Sequence, residues 1–185
     1  MTPPHPARPW ASLSGRERAG LMARRLLKLI PPFLVMVCFL LSTAPVFLPL
    51  PSWPNFGLIL VFLFAVYRPG QLAAWVAVPL GLVADLMFGA PFGANAVLLP
   101  LFMITAIWVD RLALRVHWLS DWLVATPFIL IYQLALWRLC LFAGPDLPFT
   151  PFLTEGLATL AAFPLVAAIF VRLQRRYVDG EEDAE

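Results

Sequence analysis

Charged residues are scarce in this sequence, and that scarcity already excludes most soluble proteins. Only 13% of the 185 residues are charged, about half the share found in ordinary soluble domains. So few charges could not cover the surface of a water-soluble globule of this size, and 61% of the residues are hydrophobic. The composition therefore predicts a protein whose apolar surface faces a lipid bilayer.

Residues and motifs that usually carry catalysis or metal binding are also nearly absent. Cys38 and Cys140 lie in apolar runs without metal-ligand spacing, and His5 and His117 have no ligand partners nearby in sequence. No Gly-x-Ser-x-Gly, His-Glu-x-x-His or phosphate-binding loop occurs. The net charge of +2 is too small to suggest nucleic acid as a partner. We therefore expect neither an enzyme nor a cofactor-binding protein.

Long apolar runs predict an all-α membrane protein, a compact bundle of about six transmembrane helices. The 39 residues from Leu29 to Tyr67 carry no charge and are long enough for two crossings, with a break in the proline-rich segment 49–55. The second span is short, reaching only ~21 Å at 1.5 Å per residue, so it is either a thinned or a re-entrant segment. The predicted spans are 29–48, 54–67, 71–88, 92–109, 122–142 and 152–171, between a basic N-terminal segment (1–28) and a charged tail (172–185).

The distribution of basic residues predicts the orientation of these spans. Twelve of the thirteen Lys and Arg residues fall in the two terminal segments, the turn between spans two and three, and the connector between spans four and five. The opposite connectors contain none. Because basic residues near span ends stay in the cytoplasm, we expect both termini there.

Three ionisable residues interrupt the apolar spans, at a cost of roughly 2.5–3.5 kcal/mol each at the bilayer centre. Asp85, Arg138 and Glu155 all fall near the predicted outer ends of their spans. We expect a polar cluster in the outer-leaflet half, with Arg138 between the two carboxylates and paired with Asp85. Two alternatives remain: Arg138 and Glu155 extend to the outer interface, or Asp85 caps the turn that follows it.

Glycines surround Asp85 at positions 81, 89 and 93. Glycine permits close backbone approach and positive φ, so this segment is typical of a helix that ends in a sharp, closely packed turn. The Gly-x-x-x-Gly spacing at 89 and 93 also suggests a dimerisation face, although it spans a proline.

At this motif the chain resembles the bacterial rod shape-determining protein MreD family, over roughly residues 29–172. Three sequence elements carry the resemblance. They are Pro51-Ser52-Trp53-Pro54-Asn55, the Arg68-Pro69 turn, and Gly-Leu-x-x-Asp-x-x-x-Gly-x-Pro-x-Gly, which includes Gly81, Asp85, Gly89, Pro91 and Gly93. Members of the family often have Asp where this chain has Asn55.

The resemblance implies a multi-pass protein of the bacterial cytoplasmic (inner) membrane, without enzymatic activity, that takes part in lateral peptidoglycan synthesis and cell shape. Its implied partners are MreC and, with it, MreB, RodA and a class B penicillin-binding transpeptidase; a homodimer is left open. The competing hypothesis is a membrane subunit of an energy-coupling-factor vitamin transporter, similar in size and span count. That family docks its partner through small residues four apart on its first helix, whereas Ser42, Thr43 and Ala44 are adjacent here.

Overall fold

The structure, a computed structural model, describes residues 29–43, 53–112, 118–144 and 147–182. Within these ranges the chain is all-helical and contains no strand, which confirms the predicted all-α class. The basic segment 1–28 and its predicted role lie outside the described residues. The helices are α1 (Ile30–Thr43), α2 (Phe56–Tyr67), α3 (Ala74–Phe88), α4 (Ala94–Leu112), α5 (Trp118–Ala143) and α6 (Thr150–Glu182).

The helix boundaries follow the predicted spans, with extensions at the polar ends. Helices α4 and α5 continue into the connector expected between 110 and 121, and α6 continues past Val171 to Glu182. Two segments, Asp121–Ala143 and Thr150–Leu173, are long and apolar enough to cross a membrane. The other four apolar helices are shorter, between 12 and 17 residues in their apolar parts.

Helix α2 is the core of the fold. Every residue from Gly57 to Val66 is buried, and the helix is apolar on all sides, as a helix surrounded by other helices can be. The ring of Phe62 contacts Phe102 of α4, Phe128 of α5 and Phe163 of α6, with ring centroids 5.7–6.1 Å apart. The short second span therefore lies inside the helix assembly.

Tight turns connect α2 to α3 and α3 to α4. At Arg68-Pro69 the chain reverses as predicted: the Arg68 N–H donates to the Phe64 carbonyl, and the Arg68 carbonyl accepts from Gln71. Gly89 follows the last residue of α3 and caps the helix with φ 66°. Gly93, just before α4 begins, has φ 96°. These positive φ values explain the two glycines. They also place the Gly-x-x-x-Gly spacing in a turn, where it cannot form a helix-dimerisation face.

Gly81 lets α3 and α4 approach closely. A Cβ atom at this position would lie 2.3 Å from the carbonyl oxygen of Asn95 and 2.6 Å from the Cα of Ala96. Both neighbours belong to the backbone of α4, so a side chain at position 81 has to push two helices apart.

We therefore expect Gly81→Ala to lower the free energy of unfolding by about 1–3 kcal/mol, the usual cost of overpacking a core. Gly70→Ala is the matched control, because a Cβ at position 70 meets nothing within 4 Å. Thermal unfolding of the two purified variants checks this. Equal melting temperatures for the two variants would contradict the close packing of α3 against α4.

Candidate functional site

Buried and half-buried polar side chains form two hydrogen-bonded groups, which together involve residues in or beside all six described helices. We call the two groups together the polar layer. Its members share low exposure and lie near the first turn of α2 or α4, the last turns of α1 or α3, the second half of α5, or the first three turns of α6. They are Ser42, Asn55, Asp85, Asn95, Tyr132, Gln133, Glu155 and Thr159.

Asp85 caps α4 from a different helix. Its side chain is 1% exposed; Oδ2 accepts from the Gly93 N–H at 2.8 Å, and Oδ1 accepts from the Asn95 N–H at 2.7 Å. Gly93 precedes α4 and has no side chain, so it cannot cap the helix itself. The Asp85 carboxylate supplies the missing acceptor at the positive end of the helix dipole.

Asn95 extends this cap to α5. The Tyr132 hydroxyl donates to Asn95 Oδ1, and the Tyr132 ring packs edge-on against Phe102 at 5.4 Å between centroids. Asn95 thus donates its backbone N–H to the Asp85 carboxylate and accepts the Tyr132 hydroxyl with its side-chain oxygen. These hydrogen bonds connect α3, α4 and α5 in one continuous series.

Asn55 organises the other half of the polar layer. Its Oδ1 caps α2 by accepting from the Leu58 N–H at 3.0 Å, and its own N–H donates to Thr159 Oγ1 of α6 at 2.9 Å. Its Nδ2 donates to Glu155 Oε1 at 3.2 Å. The next N–H, that of Phe56, donates to Ser42 Oγ of α1 at 3.0 Å. The start of α2 is therefore fixed to both α1 and α6.

Gln133 lies between the two halves of the polar layer. It follows Tyr132 in α5 and is 1% exposed; its amide approaches Glu155 without hydrogen-bond geometry. Neither its Oε1 nor its Nε2 has a hydrogen-bond partner, and the same is true of Asn95 Nδ2. Buried amide groups are almost always bonded, so these three atoms need an explanation.

Arg138 does not join the polar layer, which corrects the expected cluster. Its side chain is exposed and its guanidinium lies 4.9 Å from the centre of the Trp137 ring. Among the described residues no carboxylate pairs with it: both Asp85 oxygens are occupied by backbone N–H groups, and Glu155 bonds Asn55. The alternative in which Asp85 caps the following turn describes this geometry. The alternative in which Arg138 and Glu155 extend outward fits the exposed Arg138 but not Glu155, which is half-buried and bonded to Asn55.

The remaining motif residues shape the backbone beside the polar layer. The Pro54 carbonyl accepts from the Phe56 N–H at 3.1 Å, and the Pro91 carbonyl accepts from the Ala94 N–H at 2.9 Å. Arg68 and Pro69 lie at the opposite end of α2. There a second polar contact, which the sequence did not suggest, joins the Tyr67 hydroxyl to the Asp121 carboxylate.

Asn55 was named in the sequence motif, but four other uncharged members of the polar layer were not predicted. A lone Asn or Gln in an apolar helix is a signal similar to that of a charged residue. Asn95, Tyr132, Gln133 and Thr159 each stand among apolar neighbours in their helices. Which helices they join depends on packing across the fold, and spacing along the chain does not show that.

The polar layer presents carboxylate, amide and hydroxyl groups. Among the described side chains, no three His, Cys, Asp or Glu residues are grouped as they would be around a metal ion. No family model, curated protein or solved structure matches the chain.

The cap geometry predicts that Asp85 and Arg138 act independently. Asp85→Asn places an amide N–H₂ against a backbone N–H donor, so it should lower the free energy of unfolding by about 0.5–2 kcal/mol, the range for a lost helix cap. Arg138→Gln should change it by less than about 0.5 kcal/mol, the usual limit for surface substitutions. Thermal unfolding of the two single variants and the double variant measures their coupling, which we expect below about 0.5 kcal/mol. Recovery of stability in the charge swap Asp85→Arg with Arg138→Asp would contradict the cap.

Proposed function

We propose that this protein is a non-enzymatic, multi-pass component of the bacterial elongation machinery and helps to maintain cell shape by organising lateral peptidoglycan synthesis. The observation that carries the proposal is that three residues of the MreD resemblance hold the starts and contacts of helices in the fold. Asn55 caps α2, Asp85 caps α4, and Gly81 brings α3 against α4. The resemblance thus rests on residues that determine how the helices are joined.

The surface of the fold supports a position in the bilayer. Large apolar side chains stand out from the helices, among them Phe142 (89% exposed), Phe92 (77%) and Trp75 (75%). In water such a surface would promote aggregation, whereas in lipid it costs nothing. We assign the protein to the bacterial cytoplasmic membrane, with both termini in the cytoplasm and the polar layer in the outer half of the bilayer.

Short connections favour a partner inside the membrane. The turns 68–73 and 89–93 link α2 to α3 and α3 to α4 with five or six residues each. Loops of this size cannot form a standard aqueous interface of ~1,600 Å². In this proposal the apolar helix faces bind the membrane helix of MreC or of the synthase, and MreB, RodA and the class B transpeptidase are reached through that complex.

A vitamin-binding subunit of an energy-coupling-factor transporter is the second candidate. The buried, unpaired amides of Gln133 and Asn95 favour it, because a polar small molecule would satisfy them. Binding of a vitamin to the purified protein would support this candidate. A role in cell shape does not require the protein to bind a vitamin.

Depletion in the native bacterium separates the two functions. If the protein belongs to the elongation machinery, rod-shaped cells should become round as it is lost, because lateral wall synthesis is no longer organised. Phase-contrast microscopy measures the cell width. A plasmid copy carrying Gly70→Ala should restore the rods, as the wild type does. Cells that stay rod-shaped, or whose only defect is cured by added vitamin, would contradict the proposal.

A further inference from the structure

The carboxyl group of Glu155 enters the polar layer without a positive partner. It is partly buried, and its Oε1 accepts one N–H, from Asn55, at 3.2 Å. Of the bases whose side chains the structure describes, Arg138 lies against Trp137 and Arg68 lies at the far end of α2. Arg172 is 17 residues further along α6, roughly 25 Å away at 1.5 Å per residue. A carboxylate removed from water without a counter-charge is strongly destabilising.

Gln133 supplies a second, independent observation at the same place. It is 1% exposed and adjacent to Glu155, and both polar atoms of its amide are unpaired. Gly156 brings α5 and α6 together here, since a Cβ at that position would lie 3.3 Å from Gln133 Cγ. A buried amide without a hydrogen-bond partner therefore lies near a carboxyl group that lacks a counter-charge.

We propose that Glu155 and Gln133 form an intramembrane binding site for a small monovalent cation, either a proton or Na⁺. The shared chemistry is a positive charge that neutralises the Glu155 carboxylate and uses the free Gln133 Oε1. A proton on Glu155 would be donated in a hydrogen bond to Gln133 Oε1. Na⁺ would take the carboxylate and amide oxygens, the hard ligands that such cations prefer. The site is distinct from the cap at Asp85, and it does not depend on the proposed role in cell shape.

The other groups around the site offer no competing positive charge. Helix α2 contributes Asn55, which donates to Glu155, and α6 itself contributes Thr159, which donates to the Glu155 backbone carbonyl at 2.7 Å. Helix α5 contributes Tyr132, which bonds Asn95. The next carboxyl group is that of Asp85 in α3, and both of its oxygens accept backbone N–H groups. None of these four side chains carries a positive charge.

Thermal unfolding of the full-length purified protein tests the site. Melting temperatures are compared in sodium, potassium and choline chloride at equal ionic strength, at mildly acidic and mildly alkaline pH. If Na⁺ binds, it should raise the melting temperature by about 2–4 °C over choline, mainly at alkaline pH, where protons compete least. If only a proton binds, the melting temperature should fall by a similar amount as pH rises, equally in all three salts.

Variants decide whether the effect belongs to this site. Glu155→Gln keeps the shape and the contact with Asn55 but removes the charge, so its melting temperature should lose the response to cation and pH. Asp121→Asn is the matched control, because it removes a carboxylate from the opposite end of α2 and should keep the response. An identical response in wild type and Glu155→Gln would overturn the proposal.

A chemical probe keeps the test valid if Glu155→Gln fails to fold. Hydrophobic carbodiimides modify protonated carboxyl groups in apolar surroundings, and peptide mass spectrometry locates the adduct. We expect modification of wild-type Glu155 that decreases at alkaline pH or in the presence of Na⁺. The proposal would be overturned if no adduct formed at Glu155 at acidic pH. It would also be overturned if the yield of the adduct changed with neither pH nor Na⁺.

Discussion

Backbone N–H groups at the starts of helices need acceptors, and in an apolar environment only the protein can supply them. The fold depends on how two side chains meet this need. Asp85 reaches from α3 to the first N–H groups of α4, and Asn55 caps its own helix while its N–H bonds α6. Each cap therefore fixes a helix start to a neighbouring helix as well as stabilising it.

The apolar core and the polar layer have different roles. The Phe62 ring contacts one phenylalanine from each of α4, α5 and α6, but dispersion contacts of this kind are non-directional and leave the rotation and register of helices weakly specified. Hydrogen bonds such as Tyr132 to Asn95 have fixed donors and acceptors. The core therefore provides cohesion, and the polar layer provides one definite arrangement of the helices.

Local features of this fold could be predicted from the sequence, and contacts between distant segments could not. Apolar runs and breakers predicted where the helices begin to within a few residues, although α6 continues well past its predicted end, and the glycines around Asp85 predicted the turn with positive φ. The partner of Asp85 was ambiguous, because a carboxylate near a turn is equally suited to a cap and to an ion pair. The central position of α2 and the meeting of Gln133 with Glu155 depend on which helices are neighbours, and periodicity within one helix does not contain that information.

We propose that these helices form a six-span membrane bundle with the polar layer on its outer side. The most direct measurement is the accessibility of single cysteines placed at Thr150 and Asp179, in a protein whose Cys38 and Cys140 are replaced by alanine. In intact spheroplasts a membrane-impermeant maleimide should label position 150, just before the layer, and should label position 179 only after the membrane is opened. Labelling of position 179 from outside, or no labelling of position 150 there, would contradict the account.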